Sequence, residues 1–290
     1  MKPKSLRIFC SVAIFVMLNL NGNVSAHDTN FWIFLCFGQS NMEGFPGIEP
    51  QDKQGVDPRF QVFAAVDFPN QNRTKGNWYL ATPPLCRPNS GISPADYFGR
   101  TLVSNLPPSI RVGVVSVAVA GCKIELFDKD NFKSYATSSN TPAWMKRIID
   151  TYSGNPYQHL VDAAKRAQKD GVIKGILLHQ GESNNNDKEW PRKVKTIYEN
   201  LLNDLNLKAE ETPLLAGELV NADQNGACAS MNQIIDDLPK TIPSAHVVSS
   251  AGCEARRDRL HFAPAGYREF GRRYGEVMLS ALGIKTTEEK

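Results

Sequence analysis

Seven apolar residues in a row, 31–37, end at Gly38 and are followed at once by Gln39, Ser40 and Asn41. Only a strand that is covered on both faces stays apolar without alternation, so this run predicts a buried strand of a parallel sheet. The abrupt change to polar residues predicts a sharp turn that places Ser40 at the carboxyl edge of the sheet, where open parallel sheets bind ligands. An ordinary turn with Ser40 as a helix cap would give the same pattern.

The rest of the chain alternates between apolar runs and amphipathic stretches. Runs rich in apolar and β-branched residues predict strands, and apolar residues at a spacing of three to four predict helices. Further strands are predicted at 60–66, 111–121, 173–179, 213–219 and 245–249. Helices are predicted at 93–106, 143–150, 157–169, 188–207, 231–238 and 264–282. This alternation predicts an α/β fold, a three-layer α/β/α sandwich with a central parallel sheet of about five strands.

The first 26 residues differ from the rest of the chain. Lys2, Lys4 and Arg7 precede an apolar run at 8–18, and small residues close the segment at 24–26. This order is typical of a secretory signal peptide at 1–26, and the apolar run is too short to span a bilayer. We therefore expect a secreted or periplasmic protein that makes no membrane contact once the signal is cleaved.

The residues after position 26 are predicted to form one domain followed by a short tail. No internal repeat, low-complexity stretch or linker divides them, so we expect a single catalytic domain over 27–285 and a polar tail at 286–290. The three basic residues of the first segment account for the net charge of +3, which leaves the mature chain neutral. No Lys/Arg tract follows, which argues against a nucleic-acid partner and favours a neutral molecule.

Five cysteines follow the signal segment. An exported chain can form disulfides, but an odd number leaves at least one thiol free. Cys228 with Cys253 and Cys86 with Cys122 are both plausible pairs, and the sequence does not decide between pairing and free thiols. No Cys-x-x-Cys or His-rich spacing occurs, so no metal site is predicted.

Three predicted strands end in polar or glycine-containing turns, at 38–40, 120–122 and 179–182. The carboxyl ends of parallel strands share one edge, so these turns should converge with Asp258 and His261, which precede the last predicted helix. A serine hydroxyl needs a base to remove its proton, and the base needs an orienting acid. We therefore predict Ser40 as the nucleophile, His261 as the base and Asp258 as the acid.

Acyl transfer also needs donors for the oxyanion. The backbone N–H groups of Ser40 and Gly121 suit this task, and Gln180 offers a side-chain amide. Glu182 lies at the same edge and could orient His261 in place of Asp258, or could support the Ser40 loop. Asp258 is favoured because its spacing places it on the histidine's own turn.

Together, the Gly-Gln-Ser-Asn-Met motif at 38–42, Gly121, His-Gln-Gly-Glu-Ser at 179–183 and Asp-x-x-His at 258–261 resemble the SGNH hydrolase superfamily. More narrowly, the chain resembles sialate O-acetylesterase-like domains and carbohydrate esterase family 6 acetylxylan esterases, over roughly residues 30–282. The resemblance implies a flavodoxin-like sandwich and deacetylation of carbohydrate without a metal or other cofactor. The chain departs from the superfamily's Gly-x-Asn-Asp block, where Gln180 replaces the asparagine donor.

The expected substrate is an acetylated carbohydrate such as acetylated xylan, hydrolysed through an acetyl-serine intermediate. The alternatives are a sialate O-acetylesterase, an esterase or lipase for longer acyl groups, and an inactive carbohydrate-binding relative. Trp78, Trp144 and Trp190 are candidates for stacking on sugar rings, although packing beneath the loop is the favoured role for Trp78. Asn41 is a candidate for substrate binding or for support of the site, and the oligomeric state is left open.

Overall fold

The apolar runs of the chain form one seven-stranded sheet. The strands are β1 (Phe31–Gly38), β2 (Phe60–Phe63), β3 (Trp78–Leu80), β4 (Arg111–Ala118), β5 (Val172–His179), β6 (Leu214–Gly217) and β7 (Ala245–Val248). Their order is β3-β2-β4-β1-β5-β6-β7, and every neighbouring pair is parallel except β2 with β3. This computed structural model describes residues 27–45 and 47–285, so the predicted signal peptide and polar tail lie outside the described residues.

Helices connect the strands. They are α1 (Ser40–Glu43), α2 (Pro94–Asn105), α3 (Phe132–Ala136), α4 (Ala143–Thr151), α5 (Pro156–Ala167), α6 (Trp190–Leu205), α7 (Asn232–Asp236), α8 (Leu238–Thr241) and α9 (Pro264–Ala281). Several begin with proline in the first turn, where its missing N–H costs no helical hydrogen bond. In the part of the chain that the structure describes, no helix is both long enough and apolar enough to cross a membrane.

The side chains of β1 alternate between two faces, and a helical layer covers each face. Ile33 and Leu35 pack in a core with residues of α5 and α6, whereas Phe34 and Cys36 pack in a core with residues of α2 and α9. All four are fully buried, which explains why the strand is apolar without alternation. The predicted three-layer α/β/α sandwich is therefore confirmed.

The sheet has seven strands, more than the predicted parallel sheet of about five; six of the seven coincide with the strand segments predicted individually. The sequence analysis missed β3, which has three residues and lies within a long irregular connection. It pairs with β2 alone, at the edge of the sheet, and its residues are half-buried or exposed. A short edge strand has too few buried positions to leave a period in the sequence.

The register of the sheet brings the predicted turns together. Gly38 at the end of β1 pairs with Ala118 of β4 on one side and with His179 of β5 on the other. A Cβ atom on Gly38 would lie 2.0 Å from the carbonyl oxygen of His179. Gly38 also has a φ of +147°, which other residues rarely adopt. Glycine is thus required where the backbone turns toward Ser40.

Close packing of α2 against α9 fixes one side of the site. A Cβ atom on Gly271 would lie 2.5 Å from the carbonyl oxygen of Pro94, and one on Gly275 would lie 2.7 Å from the Cβ of Thr101. The two glycines therefore let the helices approach each other closely. Because α9 follows directly on the loop that carries His261, this contact also sets the position of that loop.

All five described cysteines are free thiols, so neither plausible pairing is formed. Cys86 and Cys122 are buried beneath the site, where Cys86 Sγ lies 3.4 Å from the Tyr152 hydroxyl and Cys122 Sγ donates to the carbonyl oxygen of Gly38 at 3.7 Å. They behave as small apolar residues with local polar contacts. Among the described residues, no group of three or more His, Cys, Asp or Glu side chains could hold a metal ion.

Candidate active site

Ser40 lies directly after β1, where the chain turns into α1. The N–H of Gln39 donates to the carbonyl oxygen of His179 on the neighbouring strand at 3.0 Å, and the N–H of Gly44 closes the turn onto the Ser40 carbonyl at 2.9 Å. Ser40 is only 8% exposed and lines a pocket at the carboxyl edge of the sheet. The turn therefore holds the hydroxyl at a defined place, as the sequence predicts.

His261 lies between Ser40 and Asp258. Its Nε2 atom is 2.9 Å from Ser40 Oγ, and its Nδ1 atom is 2.9 Å from Asp258 Oδ2. The other carboxylate oxygen of Asp258 accepts the backbone N–H groups of Leu260 and His261, both at 3.0 Å. The turn thus fixes the carboxylate against the imidazole, in the geometry that lets a histidine take a serine proton.

The charge of Asp258 is maintained by these hydrogen bonds. Partial burial by itself would raise the pKa of the Asp258 carboxyl, but the hydrogen bonds from the His261 ring and from the two backbone N–H groups outweigh it. The pKa of Asp258 is therefore lowered from its ordinary value. An ionised carboxylate at this position selects the tautomer of His261 that leaves Nε2 free to accept a proton.

Two unpartnered backbone N–H groups, those of Ser40 and Gly121, belong to residues that line the pocket. Neither the N–H of Ser40 nor that of Gly121 donates to any described residue. Gly121 has a φ of +69°, which favours glycine, and it lines the same pocket. These are the two backbone donors that the sequence analysis selected, and both are free to bind an oxyanion in the pocket.

The structure does not place Gln180 where the sequence analysis expected it. Its amide is buried below the pocket, where Nε2 donates to Gln39 Oε1, Cys122 O and Asn184 Oδ1 at 3.1, 3.2 and 2.7 Å. Its Oε1 accepts the indole N–H of Trp190 at 2.5 Å. With both ends of the amide occupied, the expectation that Gln180 stabilises the oxyanion is wrong.

Gln39 offers the side-chain donor instead. Its Oε1 atom accepts from Gln180 Nε2 at 3.1 Å and lies 3.4 Å from the backbone N–H groups of Gly181 and Ser183. These donors orient the amide, and its Nε2 atom donates to no described residue although Gln39 lines the pocket. Gln180 thus orients Gln39, a pocket residue whose amide N–H groups have no partner among the described residues.

Asn41 ties the serine turn to the histidine loop. Its Nδ2 donates to Glu182 Oε1 at 2.6 Å and to the carbonyl oxygen of Leu260 at 3.0 Å, and its Oδ1 accepts the hydroxyl of Tyr267. Asn41 is fully buried, so it does not reach a substrate. Its contacts favour support of the site over substrate binding, because the carbonyl it holds belongs to the residue before His261.

Glu182 lines the pocket floor without holding the histidine. One carboxylate oxygen accepts from Asn41, and the other is buried with no hydrogen-bond partner among the described residues. Burial raises the pKa of Glu182 to about 7. Because the Nδ1 atom of His261 is already bound to Asp258, the geometry gives Glu182 the supporting role that the sequence left open.

Glu43 connects three segments around the pocket. Its Oε2 atom accepts the N–H of Ala120 at 2.6 Å, and its Oε1 atom is hydrogen-bonded to the guanidinium of Arg87. Burial raises the pKa of Glu43, although the nearby charge of Arg87 opposes this. The carboxylate therefore couples the Ser40 helix to the turn that carries Gly121.

The pocket has a volume of about 550 Å³ and two aromatic residues at its rim. Phe45 and Trp144 are 44% and 45% exposed, and the Phe45 ring lies 4.3 Å from that of His261. Trp144, one of the candidates for sugar stacking, packs over Gly121 on the other side of the pocket. These rings provide apolar surfaces on both sides of the serine.

The other two candidate tryptophans, Trp78 and Trp190, lie away from the pocket rim. Trp78 packs edge-on against Phe31 and Phe63, and its indole N–H donates to Asp170 at 3.0 Å. Phe31 begins β1, so Trp78 lies toward the opposite edge of the sheet from Ser40 and has the packing role considered for it. Trp190 is fully buried, and neither ring is available to a sugar at the site.

Sequence reasoning missed three pocket residues: Gln39, Glu43 and Arg87. Gln39 directly precedes Ser40 and Glu43 directly follows the 38–42 motif, so their closeness to the nucleophile in the sequence was a usable signal. Arg87 lies in an irregular connection where no pattern marks it. Its role is visible only from the fold, which brings it beside Glu43.

The solved structures that resemble this chain in fold include the following three. A protein from Arabidopsis thaliana matches with a TM-score of 0.63 and 19% identity, covering 86% of this chain and 98% of that one. A carbohydrate acetylesterase from Xanthomonas citri matches with a TM-score of 0.59 and 18% identity, covering 87% of this chain and 56% of that one. NanS matches with a TM-score of 0.61 and 17% identity, covering 89% and 99%. At these identities the similarity shows a shared fold.

The sequence also matches a family model described as carbohydrate esterase, sialic acid-specific acetylesterase. The match covers residues 30–280, nearly all of the described chain. It includes the serine turn, the Gly121 turn and the histidine loop, whose convergence the structure establishes independently. The chain is therefore a member of the carbohydrate esterase family of sialic acid-specific acetylesterases.

Proposed function

We propose that the protein is a secreted serine esterase that removes O-acetyl groups from carbohydrate through an acetyl-serine intermediate. The observation that carries the proposal is the 2.9 Å distance from Ser40 Oγ to His261 Nε2, with Asp258 at 2.9 Å on the other side of the ring. Membership of the carbohydrate esterase family supports the ester chemistry. The pattern of residues 1–26 supports export.

In the first half of the reaction, His261 Nε2 accepts the proton of Ser40 as the oxygen attacks the acetyl carbonyl. The negative charge that develops on the carbonyl oxygen is stabilised by the N–H groups of Ser40 and Gly121 and by the amide of Gln39. Collapse of the tetrahedral intermediate breaks the ester bond. The departing sugar oxygen takes the proton from His261, and the acetyl group stays on Ser40.

In the second half, a water molecule gives a proton to His261 and attacks the acetyl carbonyl. The bond to Ser40 Oγ breaks as the serine regains the proton, and acetate leaves. Asp258 stabilises the imidazolium that forms in both halves. No step requires a metal or an organic cofactor.

We propose a neutral acetylated polysaccharide, such as acetylated xylan, as the substrate. Arg87 lines the pocket, but its positive charge is balanced by the carboxylate of Glu43. This pairing favours an uncharged sugar over a carboxylated one. A sialate O-acetylesterase is the second candidate, because the family description names sialic acid.

The test is acetate release from acetylated xylan, acetylated pectin and O-acetylated sialosides, comparing the wild type with Ser40→Ala. We expect the wild type to release acetate fastest from acetylated xylan and Ser40→Ala to release none above background. Equal release by both proteins would overturn the serine mechanism. Faster release from sialosides than from acetylated xylan would transfer the assignment to the second candidate. A separate comparison of octanoyl and acetyl esters that favoured octanoyl would indicate a lipase.

A further inference from the structure

A second cleft adjoins the catalytic pocket across Asn89. It has a volume of about 330 Å³ and lies between the segments 68–71 and 82–84. Asn89 lines both this cleft and the pocket that contains Ser40. A chain molecule bound at the serine can therefore continue into the cleft without leaving the surface.

A buried arginine shapes one wall of the cleft. Arg73 is 6% exposed and donates to the carbonyl oxygens of Leu80, Thr82 and Pro84 at 3.0, 2.5 and 3.0 Å. Its guanidinium also lies 5.5 Å from the centre of the Phe68 ring, which borders the same cleft. The wall is thus held in place before any ligand arrives, which lowers the entropic cost of binding.

Polar groups without protein partners face this cleft. The side-chain amides of Asn70 and Asn89, both at exposed positions that line the cleft, make no hydrogen bond to any residue that the structure describes. Gln71 Nε2 donates to the carbonyl oxygen of Pro83 at 3.2 Å, which fixes that amide in place. The amides of Asn70 and Asn89 each supply both donors and an acceptor, which is the combination that pairs with sugar hydroxyl groups.

The rest of the lining also suits uncharged sugar rings. Pro83, Pro84 and Pro88 present apolar surfaces on which the C–H face of a ring can lie. Of the described residues that line the cleft, only Lys53 carries a charge. Amides and prolines, rather than paired charges, therefore dominate the surface.

We propose that this cleft binds the uncharged sugar units next to the acetylated one in the same glycan chain. The enzyme then prefers acetylated oligosaccharides and polysaccharides to acetylated monosaccharides. This inference rests on the proposed function, because it assigns the cleft to the same substrate that reaches Ser40.

The experiment compares kcat/KM for acetylated xylose, acetylated xylotetraose and 4-nitrophenyl acetate. We expect the wild type to show at least a tenfold higher kcat/KM on the tetraose than on the monosaccharide. Asn70→Trp fills the cleft, so it should abolish this gain and leave the values for xylose and 4-nitrophenyl acetate unchanged. Asn70→Ala should reduce the gain severalfold, and the exposed Asn140→Trp is the matched control that should retain it.

Equal kcat/KM for the two sugars in the wild type would overturn the inference, and so would an Asn70→Trp variant that keeps the gain. A uniform loss on all three substrates would also overturn it, because a filled cleft leaves the small ester unaffected. Hydrolysis of 4-nitrophenyl acetate alone would overturn the carbohydrate assignment together with the cleft. Deacetylation of xylose without a chain-length effect would overturn the cleft alone.

Discussion

Asp258 and Glu182 both lie near His261, but only Asp258 is bonded to its ring. We expect Asp258→Asn to lower kcat on 4-nitrophenyl acetate by about a thousandfold or more, because an amide no longer selects the productive tautomer. Glu182→Gln keeps an oxygen that accepts from Asn41, so its kcat should fall less than tenfold. Steady-state kinetics of the two variants checks this ranking.

The two substitutions serve as matched controls for each other, since each replaces a carboxylate with its amide at the same edge of the sheet. Circular dichroism establishes whether both variants are folded. If Glu182→Gln lost more activity than Asp258→Asn, the role of the acid would pass to Glu182.

Glu182 also predicts a pH dependence of stability. Burial raises its pKa to about 7 from an ordinary 4.5, so between these values the unfolded chain has released a proton that the folded chain keeps. Stability from this group is complete below pH 4.5 and falls as the pH rises toward 7, by roughly 3 kcal/mol in total. Glu182→Gln has no proton to lose at this position and should lack this fall.

Urea unfolding of the wild type and Glu182→Gln at pH 4.5 and pH 7.5 measures the effect. The free energy of unfolding of Glu182→Gln minus that of the wild type should be larger at pH 7.5 than at pH 4.5. A difference that is the same at both would show that Glu182 titrates near its ordinary value in the folded protein.

Single residues show where sequence reasoning reaches its limit. Ser40, Asp258 and His261 could be selected because their chemistry requires one another and each lies at a predictable strand end or helix start. Gln180 was selected as the side-chain donor although Gln39, a second glutamine at the same edge, directly precedes the nucleophile. Only the buried partners of Gln180, which occupy both ends of its amide, reveal that Gln39 has the free donor.

At the scale of elements, Glu43 joins α1 to the turn after β4. Glu43→Gln removes the charge that pairs with Arg87 and weakens the hold on the Ala120 N–H. Ala120 directly precedes Gly121, the proposed oxyanion donor. We therefore expect kcat to fall about tenfold to a hundredfold, as for the partial loss of an oxyanion donor, while KM changes little. Steady-state kinetics on 4-nitrophenyl acetate separates the two parameters.

The matched control is Glu49→Gln, which also removes a carboxylate paired with an arginine, Arg268, but outside the pocket. It should leave kcat and KM unchanged. A loss of activity equal to that of Glu43→Gln would indicate a general effect of removing an ion pair, and would contradict the role of Glu43 in holding the Gly121 turn.

The long elements were predictable for a clear physical reason. β1 and α9 each bury many residues against the core, so the apolar spacing is strong and their bounds agree closely with the prediction. β3 was missed because it contributes three partly exposed residues at an edge. The single helix predicted at 231–238 is divided into α7 and α8, since Asp237 and Pro239 interrupt it.

At the scale of the whole molecule, the contact between α2 and α9 supports the histidine loop. Gly271→Ala would place a methyl group about 2.5 Å from the Pro94 carbonyl oxygen, too close for the helices to remain where they are. We expect a loss of about 1–3 kcal/mol in the free energy of unfolding, measured by urea denaturation. Ser280→Ala, at an exposed position of α9, is the control and should change it by less than about 0.5 kcal/mol.

A Gly271→Ala protein as stable as the wild type would show that the two helices can move apart freely. In that case their packing would not be what positions His261. Residual activity of the variant, measured below its unfolding transition, would then also equal that of the wild type.

The topology was predictable in outline because parallel strands bring their carboxyl ends to one edge. That rule alone placed Ser40 beside Gly121 and the 179–182 turn, although they are far apart in the chain. It could not give the strand order, the aromatic rim of Phe45 and Trp144, or the cleft beyond Asn89. These depend on how loops pack against each other, which leaves no period in the sequence.

The most direct test of the account is the mass of the protein during turnover. Wild-type protein mixed with 4-nitrophenyl acetate, quenched in acid and digested should carry one acetyl group on the peptide that contains Ser40. Ser40→Ala should carry none and should show no catalysed release of acetate. An acetyl group on a different residue, or undiminished turnover by Ser40→Ala, would contradict the central claim that Ser40 is activated by His261.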